Sequence, residues 1–388
     1  MANTLTGLIP IIYAALNTVQ RELIGFIPSV SRDPDVARAA KGQTVRSFVT
    51  PVATAADITP GVTAPNDGDQ VMSGIDLTID KSRYVPIRWN GEEQLSLNNG
   101  GPGAQSVLQQ QFAQGFRTLI NEVEMDIALK GYKAASRAYG TAGTAPFGTA
   151  GDLSDIAGPM QILDDNGAPM MRELVLGSAA MANIRGKQSV LFKANEAGTD
   201  ELLREGTIGR LEGASIHNSP GVRPVTKGTG AAYVTGGGGP FAVGTTSIPL
   251  VTGTGTVLAG DIVTFAGDTN KYVVVAGVAA PGTITLGGPG LRASLASGVA
   301  MTVGNSYTPN LLFSSDAIVL ATRTPAVPVD ATGVAMDMAD DRTIVTAPYS
   351  GISFEVALYR QYRQIKYEIG LAWGVGAVKS DNIAILIG

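Results

Sequence analysis

The 388-residue sequence contains no cysteine. That excludes disulfides, thiolate metal sites and cysteine nucleophiles together, so stability must come from packing and subunit contacts. Only one histidine, His217, is present, which rules out two-histidine metal sites and leaves any Ser-His-Asp triad dependent on a residue set among the turn-forming Asn218, Ser219, Pro220 and Gly221. Charged residues make up 16% of the chain, against about 25% in a typical soluble domain. So little charge leaves much surface suited to burial against other subunits. The net charge of −5 and the absence of a dense Lys/Arg cluster argue against a protein that grips phosphates. Arg360, Arg363 and Lys366 form the densest basic stretch, at a spacing that fits a solvated strand face. The apolar run Leu8–Leu16 has no basic flank, and Asn17, Gln20, Arg21 and Glu22 cut it short of the ~20 residues of a membrane span. No membrane partner is expected, and synthesis in the cytoplasm is.

Apolar residues at Leu8, Ile12, Leu16 and Leu23 predict an amphipathic helix from Thr4 to about Phe26, either packed on its own core or serving as a partner-binding arm. Between Thr44 and Gln94 the period changes to two, in Val71, Ser73, Ile75, Leu77 and Ile79 and again in Val85, Ile87 and Trp89. With Val45–Val52 these strands enclose the turn-rich stretch Ile58–Asp69, and the simplest arrangement is a long β-hairpin reaching away from the body. A two-stranded ribbon is marginal in water unless something covers it. After the breaker Asn98–Gly103, the residues Leu108, Phe112, Phe116, Leu119, Val123 and Ile127 step at helical spacing and predict a spine helix over 104–137. Glu122, Glu124 and Asp126 within it read as a solvated face rather than an acid–base pair.

Residues 139–170 read as loop, followed by the strand Leu174–Leu176, a short helix Ala179–Ile184 with Ser178 as its cap, a helical stretch Thr199–Arg204, and strand and turn over Ile208–Pro220. From Lys227 to about Gly304 glycine alternates with short Val/Thr/Ala runs such as Ile262–Phe265, Tyr272–Val275 and Thr283–Leu286, which predicts a small all-β barrel or sandwich inserted between α/β segments. The chain then returns to strand at Ala317–Ala321, a long segment Ile352–Trp373, and Ile383–Ile387. Gly236–Gly239 is followed by Pro240 and no helix, Gly253-Thr254-Gly255 leads into a strand, and Arg185-Gly186-Lys187 lacks the glycine of a P-loop, so no phosphate cradle is expected. Asp164-Asp165-Asn166-Gly167 has too few ligands for an EF-hand and reads as a turn. No catalytic, cofactor or metal site is expected.

The order of parts resembles the tailed-phage capsid fold, an α+β fold shared with the herpesvirus capsid floor and encapsulins. Three stretches resemble more narrowly the coat proteins of Salmonella short-tailed phages, which carry a β-barrel insertion domain. They are Arg204–Ile208 with Gly213 and Ser219-Pro220, Gly260–Gly267, and Trp373–Ala377 with Asn382-Ile383-Ala384. One departure is that the candidate insertion is shorter than its counterpart, so barrel strands or loops are expected to be missing.

The resemblance implies an N-terminal arm at 1–43 and an extended loop at 44–100. It places a peripheral domain at 101–170 and 342–376, an axial domain at 171–225, 309–341 and 377–388, and the inserted β domain at 226–308. It implies a major capsid protein, not an enzyme, that assembles with itself as pentamers and hexamers into an icosahedral virion shell built in the host cytoplasm. Its implied partners are a scaffolding protein, a portal protein and packaged double-stranded DNA held without sequence-specific binding. Subunit contacts are expected between the acidic loop residues Asp67, Asp69 and Asp76 and the basic Arg83, Arg88 and Arg117 of a neighbour. The alternatives are a phage tail-tube subunit, which should lack the spine helix, and a bacterial surface-layer subunit, which should carry a secretion signal. A glycosidase would need paired carboxylates in an aromatic-lined cleft, and two tryptophans are few for one.

Overall fold

A computed structural model of the chain describes residues 9–20, 25–49, 55–63, 68, 73–100, 104–188, 209–332, 336–347 and 350–388. Helix α1 (Ile9–Gln20) and the one-turn α2 (Phe26–Ser29) lead into β1 (Ser31–Ala39), the hairpin strands β2 (Thr44–Val49) and β3 (Ser73–Thr78), and β4 (Lys81–Asn90). Helix α3 (Gly91–Gly100) and the spine helix α4 (Ala104–Ala134) follow. Next come β5 (Arg137–Gly140), α5 (Ser154–Asp165), β6 (Arg172–Leu176), α6 (Ser178–Lys187), β7 (Arg210–Leu211) and β8 (Ala214–Asn218). A run of strands, β9 (Ala231–Thr235), β10 (Ser247–Thr254), β11 (Ile262–Phe265), β12 (Lys271–Ala276), β13 (Gly282–Leu286) and β14 (Ala300–Val303), precedes β15 (Pro309–Ser314) and β16 (Ile318–Pro325). The chain closes with β17 (Asp341–Thr346), β18 (Ser353–Gln361), β19 (Gln364–Ala377) and β20 (Ile383–Ile387). The architecture is α+β, with the parts in the order expected.

The 31 residues of α4 extend about 46 Å at 1.5 Å each. Its stepped residues Leu108, Phe112, Phe116, Leu119, Val123 and Ile127 are all buried, and they join α1, β18 and β19 in one core. Phe116 meets Phe354 edge-on at 5.1 Å, and Phe112 meets Tyr367 at 5.5 Å. Helix α1 sets Ile12, Ala15 and Leu16 into that core, so the described part of the N-terminal helix packs on its own subunit.

β19 is the centre of a six-stranded sheet. Its residues 364–370 pair with β18 and 372–377 with β16, while residues 364–373 pair with β4. Since a strand has two edges, β18 and β16 share one end to end and β4 holds the other. Parallel pairing of β1 with β16 and antiparallel pairing of β17 with β18 complete the sheet. Gly374 is required here, because a Cβ would lie 2.1 Å from the Thr78 carbonyl oxygen at the foot of the hairpin.

The second sheet has twelve strands, and half of them form a closed barrel. β11, β14, β9, β10, β13 and β12 pair antiparallel in that cyclic order, and β12 returns to β11. The shorter insertion therefore lacks no strand needed for closure, and closure leaves no free edge. Tyr233, Ile248, Leu250, Phe265, Val274 and Ile284 fill its interior. β12 also pairs with β5, which carries the sheet on through β20, β15, β6, β8 and β7.

Several local expectations change. The segment Ile352–Trp373 is two strands, β18 and β19, reversed at Tyr362-Arg363 with Arg363 at φ +54°. The spine helix stops at Ala134, because Arg137 already pairs with Ala384 in β5. Helix α3 runs through the expected breaker to Gly100, and α5 occupies part of the expected loop 139–170. Gly177, not Ser178, stands at the N-cap of α6, and its N–H donates to Asn310 Oδ1. β16, within the segment 309–341 expected to be axial, belongs to the sheet of β19, and so does β4 from the expected loop 44–100. Strand β1, parallel to β16, was not anticipated. The predicted helix Thr199–Arg204 lies outside the described residues.

Phe116→Ala removes a ring with no solvent contact from the junction of α4 and β18. It is expected to cost about 3–5 kcal/mol, measured by urea denaturation of the monomeric chain.

Candidate assembly surface

The hairpin of β2 and β3 is fixed at its foot and bare at its tip. Leu77 and Ile79 are buried against Ala321 and Ala372 of the six-stranded sheet. Further out, Arg46 stands opposite Asp76 across the ladder and donates from Nε to Oδ1 at 2.9 Å and from Nη2 to Oδ2 at 3.4 Å. Those hydrogen bonds hold the Asp76 carboxyl below the usual carboxylate range. Residues 55–63 are exposed throughout, with Ile58 at 95% and Val62 fully exposed. Apolar side chains carried outward on a two-stranded ribbon, beside Asp57, form a surface suited to a partner.

The six contact residues expected from sequence occupy different settings. Asp67 and Asp69 lie outside the described residues, and Asp76 is engaged by Arg46 on its own hairpin. The period-two geometry of β4 separates Arg83 from Arg88. Arg83 shares the face of Val85 and Ile87 that meets α4, and its Nε lies 3.6 Å from Glu122 Oε2. Arg88 projects from the opposite face and is exposed. Arg117 on α4 donates to Gln114 Oε1 at 2.7 Å.

A groove of about 840 Å³ lies where β4 and α3 meet the tip of the β18–β19 hairpin. Trp89, Leu95, Leu358 and Ile365 line it together with Arg360 and Arg363. The basic stretch read as a solvated strand face is thus split between a hairpin tip and an engaged lysine. Lys366 pairs with Glu368 and lies over the rings of Tyr84 and Tyr359 at 5.4 and 5.6 Å. A polar cleft of about 1120 Å³ opens between α5, the loop 141–149 and the barrel turn at Asn270, with Arg137, Lys187 and Lys271 among its lining residues. Asp164 and Asp165, expected in a turn, end α5 and bind Arg172 at 2.6 Å and Arg137 at 3.1 Å.

Two carboxylates read as solvated turn inward. Glu124 is 1% exposed. Its Oε1 accepts the Ile27 N–H at 2.8 Å, and Oε2 accepts the Phe26 N–H at 2.9 Å, the Gly25 N–H at 3.3 Å and the Ser219 hydroxyl at 2.6 Å. Those N–H groups open α2 and have no intrahelical acceptor, so a side chain from another element caps them. Burial pushes the Glu124 carboxyl up, and the hydroxyl and three N–H donors pull it back less strongly. Asp126, two residues further along the helix, accepts Lys81 Nζ and the Trp373 indole N–H, each at 2.8 Å. The sequence signal for both was their register. Glu124 follows the apolar Val123, and Asp126 precedes Ile127, at the margin of the stripe. His217 lies on β8 rather than in a loop, and its Nε2 is 3.0 Å from Glu173 Oε2 on β6. Among the described residues no group of three or more His, Asp or Glu is placed to hold a metal ion. Among them, too, no helix is long and apolar enough to cross a membrane.

No protein-family model matches the chain, and no curated protein does. Solved structures do. A structure from Mycobacterium phage Che8 is 15% identical and covers 90% of this chain and 88% of its own, at a TM-score of 0.46. The capsid of Ralstonia phage GP4 is 11% identical with coverage of 95% and 89% and a TM-score of 0.46. The capsid asymmetric unit of cyanophage A-1(L) is 10% identical with coverage of 94% and 93% and a TM-score of 0.47. These are distant likenesses, each below a TM-score of 0.5, and the functional reading comes from this chain's own residues.

Because the folded Glu124 carboxyl lies above its unfolded value, its contribution to stability is complete below about pH 4 and is lost as pH rises through the raised value. Glu124→Gln removes that titration. Urea denaturation at stepped pH should show wild-type stability falling relative to the variant as pH rises above about 4; a constant gap would refute this. Glu124→Leu leaves four donors without an acceptor and is expected to cost several kcal/mol, at about 1–3 for each buried unsatisfied group.

Proposed function

We propose that this chain is a coat subunit of a tailed-phage particle. It assembles with itself, as pentamers and hexamers, into an icosahedral shell that encloses double-stranded DNA without sequence-specific contacts. The observation that carries the proposal is the hairpin, which is anchored by Leu77 and Ile79 and ends in the bare apolar residues Ile58 and Val62. A monomer has no use for such an extension, whereas a neighbouring copy can cover it. The rigid spine helix, the low charge content and the order of parts that resembles the tailed-phage capsid fold support the same conclusion.

The closed barrel inserted before β15 supports kinship with the Salmonella short-tailed type. A scaffolding protein and a portal protein are its proposed partners, the virion its proposed location after assembly in the host cytoplasm, and its role structural rather than enzymatic. Of the charged contacts to a neighbour, Asp67 and Asp69 with Arg88 remain the proposed pairs, since Arg117 already donates to Gln114. Asp76 and Arg83 already have partners within the subunit. Exposed ion pairs of this kind contribute under ~1 kcal/mol each, so the apolar tip carries more of the contact.

Expression with a scaffolding protein, followed by cryo-electron microscopy, is expected to yield closed shells. Ile58→Asp with Val62→Asp is expected to lower shell yield at least about tenfold while leaving the melting temperature of the subunit unchanged, because neither side chain touches the core. Stable monomers under all conditions for the unaltered chain would remove the coat assignment.

A further inference from the structure

The polar cleft of about 1120 Å³ between α5, the loop 141–149 and the barrel turn at Asn270 has an unbalanced set of charges. Arg137, Lys187 and Lys271 line it against Asp155 and Asp165. Both carboxylates are engaged within the subunit. Asp155 Oδ2 accepts the Phe147 N–H at 2.5 Å, while Asp165 Oδ2 accepts Arg137 Nη2 at 3.1 Å and has Arg292 Nη2 3.8 Å away. The lysines have no such partner. Among the described residues neither forms an ion pair: Lys271 donates to the Gly140 carbonyl, and Lys187, at the end of α6, is exposed.

The two lysines bracket the loop. Lys271 holds Gly140, just before it begins, and Lys187 Nζ lies 4.0 Å from where a Cβ on Gly148 would stand, near its close. Arg137 adds unused donor capacity to the same wall. It is 5% exposed, Nη1 donates to Asn270 Oδ1 and Nη2 to Asp165, and its buried Nε has no acceptor in the chain. Buried donors are almost always paired, so a leftover guanidinium N–H beside two unpaired lysines points to an anion.

We propose that this cleft binds a phosphate group, free or carried by a small molecule. Its three cations come from β5, α6 and β12 and are gathered only by the fold, which is why no phosphate motif stands in the sequence. A phosphate carries a charge of about −2 and three strong acceptor oxygens, so it meets several separated donors at once. A carboxylate has one charge and two oxygens. The hydroxyls of Thr141 and Thr144, also in the lining, add neutral donors. Beside them the Tyr139 ring, 41% exposed, lies against Gly158, where a Cβ would come within 2.4 Å of Tyr139 Cγ. A flat ring next to the cations gives a nucleobase a surface to stack on, so a nucleoside monophosphate is one source of the group and inorganic phosphate the other. No residue of the hairpin takes part, so the site stands independently of the coat assignment.

The test is isothermal titration calorimetry of the full-length monomeric chain at fixed ionic strength, with inorganic phosphate, adenosine monophosphate and acetate as separate probes. Both phosphate probes are expected to saturate one site with a Kd of about 1 mM or tighter, and acetate is not. Lys187→Ala and, separately, Lys271→Ala should each weaken phosphate binding at least about tenfold. Lys41→Ala, in the exposed turn between β1 and β2, should leave it unchanged. Lys187 makes no contact that folding needs, so it decides the matter if Lys271→Ala, which loses the tie to Gly140, fails to fold. Tighter binding of adenosine monophosphate than of phosphate identifies a nucleotide as the ligand, and equal binding identifies free phosphate. No saturable binding of either probe, equal affinity for acetate, or binding indifferent to the lysine variants overturns the proposal.

Discussion

Glu124 is where three remote parts of the chain are tied together. From the middle of the spine helix its carboxylate reaches the start of α2 and Ser219 after β8, and it is almost completely shielded from water. A buried carboxylate is costly unless nearly every lone pair has a donor, so the surrounding backbone must come close. It does: a Cβ on Gly25 would meet Ser219 Cβ at 2.7 Å, and one on Gly221 would meet the Glu124 carbonyl oxygen at 2.9 Å. Once these segments are held, α1 lies along α4 and its Ile12, Ala15 and Leu16 belong to the core. Asp126 repeats the device on the other side, tying β4 through Lys81 and β19 through Trp373 to the same helix.

With α4 fixed, the rest of the fold becomes two sheets joined through one helix. The six-stranded sheet covers its apolar stripe with Phe354, Tyr367 and Ile369, and β5, which starts just past its C-terminal end, carries the second sheet into the barrel. The barrel is welded rather than tethered. β12 pairs with β5, Tyr307 donates to the Gly260 carbonyl at 2.6 Å, and a Cβ on Gly287 would lie 2.1 Å from the Ala135 carbonyl oxygen. The exposed Ile58 and Val62 beside Asp57 and the welded barrel thus belong to one chain whose two sheets share α4.

The sequence by itself determined the elements whose signal is local. The step of Leu108, Phe112 and Phe116 marked α4, the alternation of Ile75, Leu77 and Ile79 marked β3, and the glycine-punctuated Val and Thr runs marked the barrel. Periodicity records which face of an element is buried, and that is a property of neighbouring residues. It could not say what buries that face. Whether Ile352–Trp373 is one strand or two turned on a left-handed Arg363, whether β16 joins β15 or β19, and whether the insertion closes on itself were decided by pairings between residues far apart in the chain. The same limit governed the charged residues. Glu124 and Asp126 look solvated, and Arg83 looks like Arg88, until packing places Glu124, Asp126 and Arg83 against partners. The cost of desolvating a charge depends on its three-dimensional surroundings, so its role was settled only by the tertiary structure.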